Sequence, residues 1–393
     1  MARRNQSRNL PSASLRLFLT FGLVAIVLSG LTSAQRSTGQ TGSGKRTVVP
    51  TSQRPKPTPT PGSNRLKALG APPPVPVLKR KPDEEIKPGD VISVNTTEVM
   101  LPVTVRDSSG RLVSDLTRKN FRVFEDNAEQ PLSDLALRQV PVDVILMLDA
   151  SSSVATNLDD FRRAAESFAA RLDPEDRISL IKFDDRVQLL QDWTRSRFQL
   201  QRALSRIEAG MFTRFNDALF LAAREQFGPT QSRRAIIVLS DGIDSRRGAT
   251  SAEGALQALL TAQVTVYVIS NTEIARAAKQ SELETLSHGS DAAVRFNQLR
   301  IDDLREGLRV LDESEQTLAQ LTQSTGGRLY KPHSFDALGD AYREVAEELR
   351  TQYAIYYTPS NKTRDGGFRR VRVETTNRAY QTSTRVGYFA PRK

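Results

Sequence analysis

No cysteine occurs among the 393 residues, and histidine appears only twice, at His288 and His333. The first absence excludes a disulfide framework, a thiol nucleophile and a lipoprotein anchor. The second leaves little material for an imidazole metal cage or a Ser-His triad, and no G-x-S-x-G elbow occurs either. Basic charge is also scarce where it would matter. The net charge is +11, but residues 1–90 hold 15 Lys/Arg against 4 Asp/Glu, and the remainder carries 41 of each. A neutral folded region offers no electrostatic footprint for nucleic acid.

The first 34 residues have the composition of an export leader. Arg3, Arg4, Arg8 and Arg16 precede an apolar stretch from Leu17 to Leu31, and Thr32-Ser33-Ala34 supplies small residues for cleavage before Gln35. Its fifteen residues fall short of the ~20 that cross a bilayer comfortably. The expectation is a secreted or periplasmic protein, with an uncleaved leader acting as a membrane anchor as the alternative. Residues 35–90 are rich in Pro, Thr, Ser and basic side chains, as in Pro72-Pro73-Pro74-Val75-Pro76, and read as a disordered spacer. Within it, Gly39 to Lys45 imitates a phosphate-binding loop. Arg46 stands where Ser or Thr is needed, no strand precedes it and no helix pattern follows, so nucleotide binding is not expected.

Residues 91–139 show short alternating strands, such as Val99, Leu101, Val103 and Val105, then Phe121 to Phe124. The same texture returns in 351–393, at Tyr353–Tyr357, Val371–Val373 and Thr384–Tyr388. Neither segment is long enough for its own core, so the two are expected to pair as a small β-sandwich. Between them, residues 140–350 alternate strand and helix. Continuous apolar strands read at Val142–Leu148, Ile178–Phe183, Ala235–Leu239 and Val264–Ile269. Helical patterns lie at Leu158–Leu172, Phe198–Ile207, Asn216–Phe227, Ala252–Ala262, Ser314–Thr325 and Phe335–Leu349. This rhythm predicts an α/β fold, doubly wound around a mostly parallel sheet. Residues 271–313 read as helices inserted after the Val264 strand, either flanking the ligand edge and shaping partner choice or a surface elaboration.

Ligands in such sheets sit beyond the carboxyl ends of the strands. There Asp149, Ser151 and Ser153 alternate on a tight turn, and hard oxygens at that density suit Mg²⁺ better than Zn²⁺. Helix capping is the competing explanation for the same residues. Thr213, on a loop leading into a helix, and Asp241, at a second strand end, would complete a set of five oxygen donors. Asp241 would bind directly or through water, and Mn²⁺ or Ca²⁺ could replace Mg²⁺.

With those five positions in order, residues 140–350 resemble a von Willebrand factor type A domain carrying a metal-ion-dependent adhesion site. Leu321 to Tyr330 is similar to that family's last helix-to-strand turn, whereas Phe212 departs from the small residue often found before the Thr. The flanks Asp115–Asp126 and Gln352–Pro359, through Arg385–Tyr388, resemble an exported bacterial branch, the VWFA-related proteins common in acidobacteria. The resemblance implies an extracytoplasmic, metal-dependent protein-binding module whose ion accepts an Asp or Glu side chain from a partner. An envelope scaffold with a vestigial metal site and a metal-assisted hydrolase are the alternatives. The ligand set holds no evident general base beyond its own carboxylates, so no enzyme activity is expected.

Overall fold

The computed structural model describes residues 98–392 apart from 138–139, 153, 155–156, 229–231 and 246. The leader, the spacer and Ser153 therefore lie outside the described residues. Among the described residues no helix is long and apolar enough to cross a membrane.

The chain opens with four strands, β1 (Val99–Arg106), β2 (Phe121–Glu125), β3 (Ala128–Gln130) and β4 (Leu132–Leu137). Asp126 and Asn127 turn the β2–β3 hairpin with positive φ of 47° and 68°, values that Asn and Asp tolerate better than most residues. The central region follows as β5 (Val142–Asp149), α1 (Leu158–Ala169), β6 (Arg177–Phe183), β7 (Val187–Thr194), α2 (Arg197–Leu204) and α3 (Phe215–Leu221). It continues with β8 (Arg233–Leu239), α4 (Ala252–Thr261), β9 (Thr265–Ile269), α5 (Thr272–Ser287), α6 (Asp291–Phe296), α7 (Gln298–Thr325), β10 (Leu329–Tyr330) and α8 (Leu338–Thr351). Four more strands close the chain, β11 (Tyr353–Tyr357), β12 (Phe368–Thr375), β13 (Gln381–Ser383) and β14 (Gly387–Phe389).

The central sheet has the order β10-β9-β8-β5-β6-β7 and is parallel except for β7, which runs antiparallel to β6. It is covered on both faces, which is why its strands are continuously apolar. Val144, Leu146 and Leu148 of β5 pack with α1, α2 and α8, while Ile145 and Met147 pack with α3, α4 and α7. Helix α8 shows how this is encoded. Leu338, Ala341, Tyr342, Val345, Ala346 and Leu349 recur at helical spacing and all are buried. Each large apolar side chain buried in this way contributes roughly 1.5–3 kcal/mol. The sheet order reverses at β5, so the crevice beyond β5 and β8 is the topological switch point.

Two departures from the sequence pattern concern length. Helix α7 runs for 28 residues and starts sixteen positions before its expected beginning at Ser314. With α5 it forms an antiparallel hairpin, and the sixteen residues before Ser314 add about 24 Å of helix. The helix expected over Asn216–Phe227 is α3 followed by a π-type turn at Ala222–Gln226.

The two flanking segments pair with each other. One sheet has the order β13-β1-β11-β4 and the other β14-β12-β2-β3, and Val99, Leu101, Val103, Phe121, Val123, Ile355, Tyr357, Val371 and Val373 fill the space between them. Glu348, on the inner side of α8 and 1% exposed, joins this sandwich to the central sheet. Its carboxylate accepts from Thr104 Oγ1 (3.1 Å) and Arg106 Nη2 (2.5 Å) of β1 and from the Tyr330 hydroxyl (3.0 Å) of β10. Arg106→Ala should strand that carboxylate inside the protein and lower stability by about 3 kcal/mol. Thr104→Val should cost about 1 kcal/mol. Urea unfolding midpoints at constant slope measure both.

Candidate metal centre

Strand β5 is buried along its whole length and ends on Asp149, whose side chain is 0% exposed. The chain then leaves the sheet at Ala150, whose N–H still donates to the Phe183 carbonyl of β6 at 3.0 Å. Asp149 shapes the turn it starts, because Oδ1 accepts the Ser151 N–H at 2.9 Å. Its Oδ2 accepts the Ser240 hydroxyl at 2.6 Å. No Lys or Arg among the described residues pairs with Asp149. Ser151 is buried beside it.

The loop bearing Thr213 is bonded to this turn. Gly210 N–H donates to the Ala150 carbonyl (2.7 Å), and the Ser152 hydroxyl donates to the Met211 carbonyl (3.2 Å). Glycine is required at position 210, since a Cβ there would stand 2.4 Å from Asp184 Oδ2. Asp184 is itself buried and paired with Lys182 Nζ at 2.5 Å. Asp185 fixes the turn by accepting the N–H groups of Met211 (3.2 Å) and Phe212 (3.0 Å) on its two oxygens. Thr213 is buried, and both its backbone groups are held by Ser245. Its N–H donates to Ser245 Oγ and its carbonyl accepts the Ser245 N–H, each at 2.9 Å.

Ser245 belongs to the third loop, which begins at Asp241, one residue beyond Ser240. The Ser240 hydroxyl both donates to Asp149 and accepts the Gly242 N–H at 2.9 Å. Asp241 Oδ1 accepts the Ile243 N–H at 3.0 Å. Gly242 has φ +71°, and a Cβ on it would meet the Leu318 side chain of α7 at 2.6 Å. The Ser314 hydroxyl of α7 donates to the Asp241 carbonyl at 2.5 Å. Helix α7 thus holds the same loop that carries Asp241.

Of the five residues singled out by sequence, Asp149, Ser151, Thr213 and Asp241 lie on three loops bonded to one another at one sheet edge. Ser153 falls outside the described residues. Four residues that shape the site escaped the sequence reading: Ser240, Asp185, Asp244 and Ser245. Asp244 Oδ2 accepts the Asn216 N–H at 2.9 Å, which ties the third loop to the start of α3. Only Ser240 carried a sequence signal, a hydroxyl between an apolar strand and its terminal Asp.

Burial, and next the charge of Asp241, push the Asp149 carboxyl up to about 7, against the opposing bonds from Ser240 and Ser151. Two close carboxylates in a desolvated crevice, lined with hydroxyls, are the donor chemistry of a hard divalent cation. Among the described residues no cluster of three or more His, Cys, Asp or Glu could hold a metal, so any ion here depends on the hydroxyls. In the metal-free protein the folded state keeps the Asp149 proton that the unfolded chain releases at about pH 4. Through this group, stability in EDTA should fall as pH rises from about 4 to 7 and then level off. The difference in melting temperature between wild type and Asp149→Asn, followed across that range, isolates the effect.

Residues 144–243 match the family model described as von Willebrand factor type A domain. No curated protein matches the chain. Among solved structures, the chain is similar to proximal thread matrix protein 1 from the mussel byssus, at 15% identity and TM-score 0.40, over 57% of this chain and 51% of that one. The chain thus spans about half the length of the mussel protein, another structure of which has a zinc-occupied MIDAS motif. It is similar to BatB from Bacteroides thetaiotaomicron at 21% identity and TM-score 0.37, over 53% of this chain and 99% of that one. A von Willebrand factor type A protein from Catenulispora acidiphila aligns at 10% identity and TM-score 0.40, over 76% of this chain and 75% of that one. The segment that matches the von Willebrand factor type A model, 144–243, contains Asp149, Ser151, Ser153, Thr213 and Asp241.

Proposed function

We propose that this chain is an extracytoplasmic protein-binding module that works through a divalent cation, Mg²⁺ first, with Mn²⁺ or Ca²⁺ as substitutes. Asp149, Ser151, Ser153, Thr213 and Asp241 would hold the ion. The observation that carries the reading is Asp149. A fully buried carboxylate with no cation paired to it, electrostatically coupled to a second carboxylate, is costly unless a cation joins them. The loops around it are already bonded in place, so little ordering would be needed on binding.

Three hydroxyls and two carboxylates supply five donors, one short of the six that Mg²⁺ takes, and the bound ion would supply an open coordination position for an Asp or Glu of a partner protein. Binding is favoured over hydrolysis because the donor set supplies no separate base. No hydrogen bond links His288 or His333 to the four described donors, and both histidines are exposed. The exported address rests on the leader composition of residues 1–34.

At ~100-fold excess over its dissociation constant, the cation should add ~2.7 kcal/mol of stability. This corresponds to a rise of roughly 5–10 °C in melting temperature relative to EDTA. Asp149→Ala should abolish the rise. Identical melting of the wild type in EDTA and in excess Mg²⁺, Mn²⁺ or Ca²⁺ would rule the site out. Metal-dependent hydrolysis that disappears in Asp149→Ala would instead restore the enzyme alternative.

A further inference from the structure

The loops around Asp149 use their acids inward and leave a cation outward. Asp185 is spent on the amides of Met211 and Phe212, and Asp244 on that of Asn216. Asp217 is buried and accepts the N–H groups of Ala249 and Thr250. Arg247, on the Asp241 loop, is exposed, and no carboxylate among the described residues pairs with it. Its guanidinium lies 3.5 Å from the centroid of the Phe212 ring.

That stacking has two consequences. It seats the guanidinium over the ring of the residue next to Thr213, which restrains a flexible side chain there. It also leaves the guanidinium's charge and hydrogen-bonding capacity without a carboxylate partner among the described residues, available to an acceptor from outside. Beside it, Met211 is 69% exposed on a turn whose backbone Asp185 immobilises. A cation and an exposed apolar side chain are therefore carried by the same two loops as Thr213 and Asp241.

We propose that Arg247, braced on Phe212, is a second anchor that selects acidic peptide segments carrying two carboxylates. One carboxylate goes to the cation and the other to Arg247, with Met211 covering the residues between. The proposal rests on the metal reading of the Asp149 site and names the partner class for it.

The test uses the full chain and fluorescein-labelled Gly/Ser peptides, with anisotropy read in saturating Mg²⁺ and in EDTA. One peptide carries a single Asp. The others add a second Asp two, three or four residues away, and a matched set replaces that second Asp with Lys. In Mg²⁺ the best two-acid peptide should bind on the order of tenfold more tightly than the single-acid peptide, the gain typical of one charge-assisted hydrogen-bonded pair. Arg247→Ala should erase that preference, Phe212→Ala should weaken it, and Arg247→Glu should transfer it to the Asp-and-Lys peptides. Equal binding of one-acid and two-acid peptides by the wild type would overturn the proposal. So would a preference that survives Arg247→Ala, or the absence of Mg²⁺-dependent peptide binding by a protein whose melting temperature Mg²⁺ raises. A wild type that shows no Mg²⁺ effect on melting marks failure of the metal reading itself.

Discussion

Parallel pairing sets where the carboxylates of this protein must go. Strands β5 and β8 run in the same direction with Leu148 opposite Leu239, so their next residues emerge together at one edge. Asp149 and Asp241 are thereby brought into a crevice that also receives Ser240, and burial makes their mutual repulsion expensive. The surrounding structure responds by satisfying what it can with neutral donors. Ser240 and Ser151 bond to Asp149, and the Ile243 N–H bonds to Asp241. The Thr213 loop is tied to both neighbouring loops, so the arrangement does not relax by swinging one carboxylate into water.

The central sheet was readable because burial on both faces removes polar residues from its strands, as in β5 and β9. Strand β7 was missed for the opposite reason. It lies at the sheet edge, exposes Gln188, Leu189 and Asp192, and keeps only Thr194 fully buried, so its pattern lacks a strong period. Residues 271–313 read as helices, but their continuity with Ser314–Thr325 as one helix did not show, because the early half of α7 buries little beyond Ile301, Leu304 and Leu311. The segment expected as one strand over Thr384–Tyr388 is broken instead. Arg385 turns inward there, and its guanidinium donates to the Met100 carbonyl at 2.6 Å and to Gln263 Oε1 at 3.1 Å.

At the site, the oxygen donors themselves were legible because their types and order are distinctive. Their supports were not. Asp185, Asp244 and Ser245 act on backbone amides 26 to 32 residues away, and such pairings depend on how the loops cross rather than on any local pattern. Arg247 belongs with them. Nothing in its neighbourhood along the chain points to Phe212, yet the fold stacks the two.

The β-sandwich is assembled from strands on either side of the α/β body, and β4 lies beside β11 in one sheet. The body therefore enters and leaves the sandwich through adjacent strands, as an excursion closed by their hydrogen bonds. Tension applied along the chain would reach the pairing of β4 with β11 before the body, and because Leu132 lies opposite Tyr357 it would open that pair from one end. The Asp149 crevice would stay slack while the flanks carried the load. Mechanically, the strands that looked too short to form a domain act as a clasp that must open before the crevice is loaded.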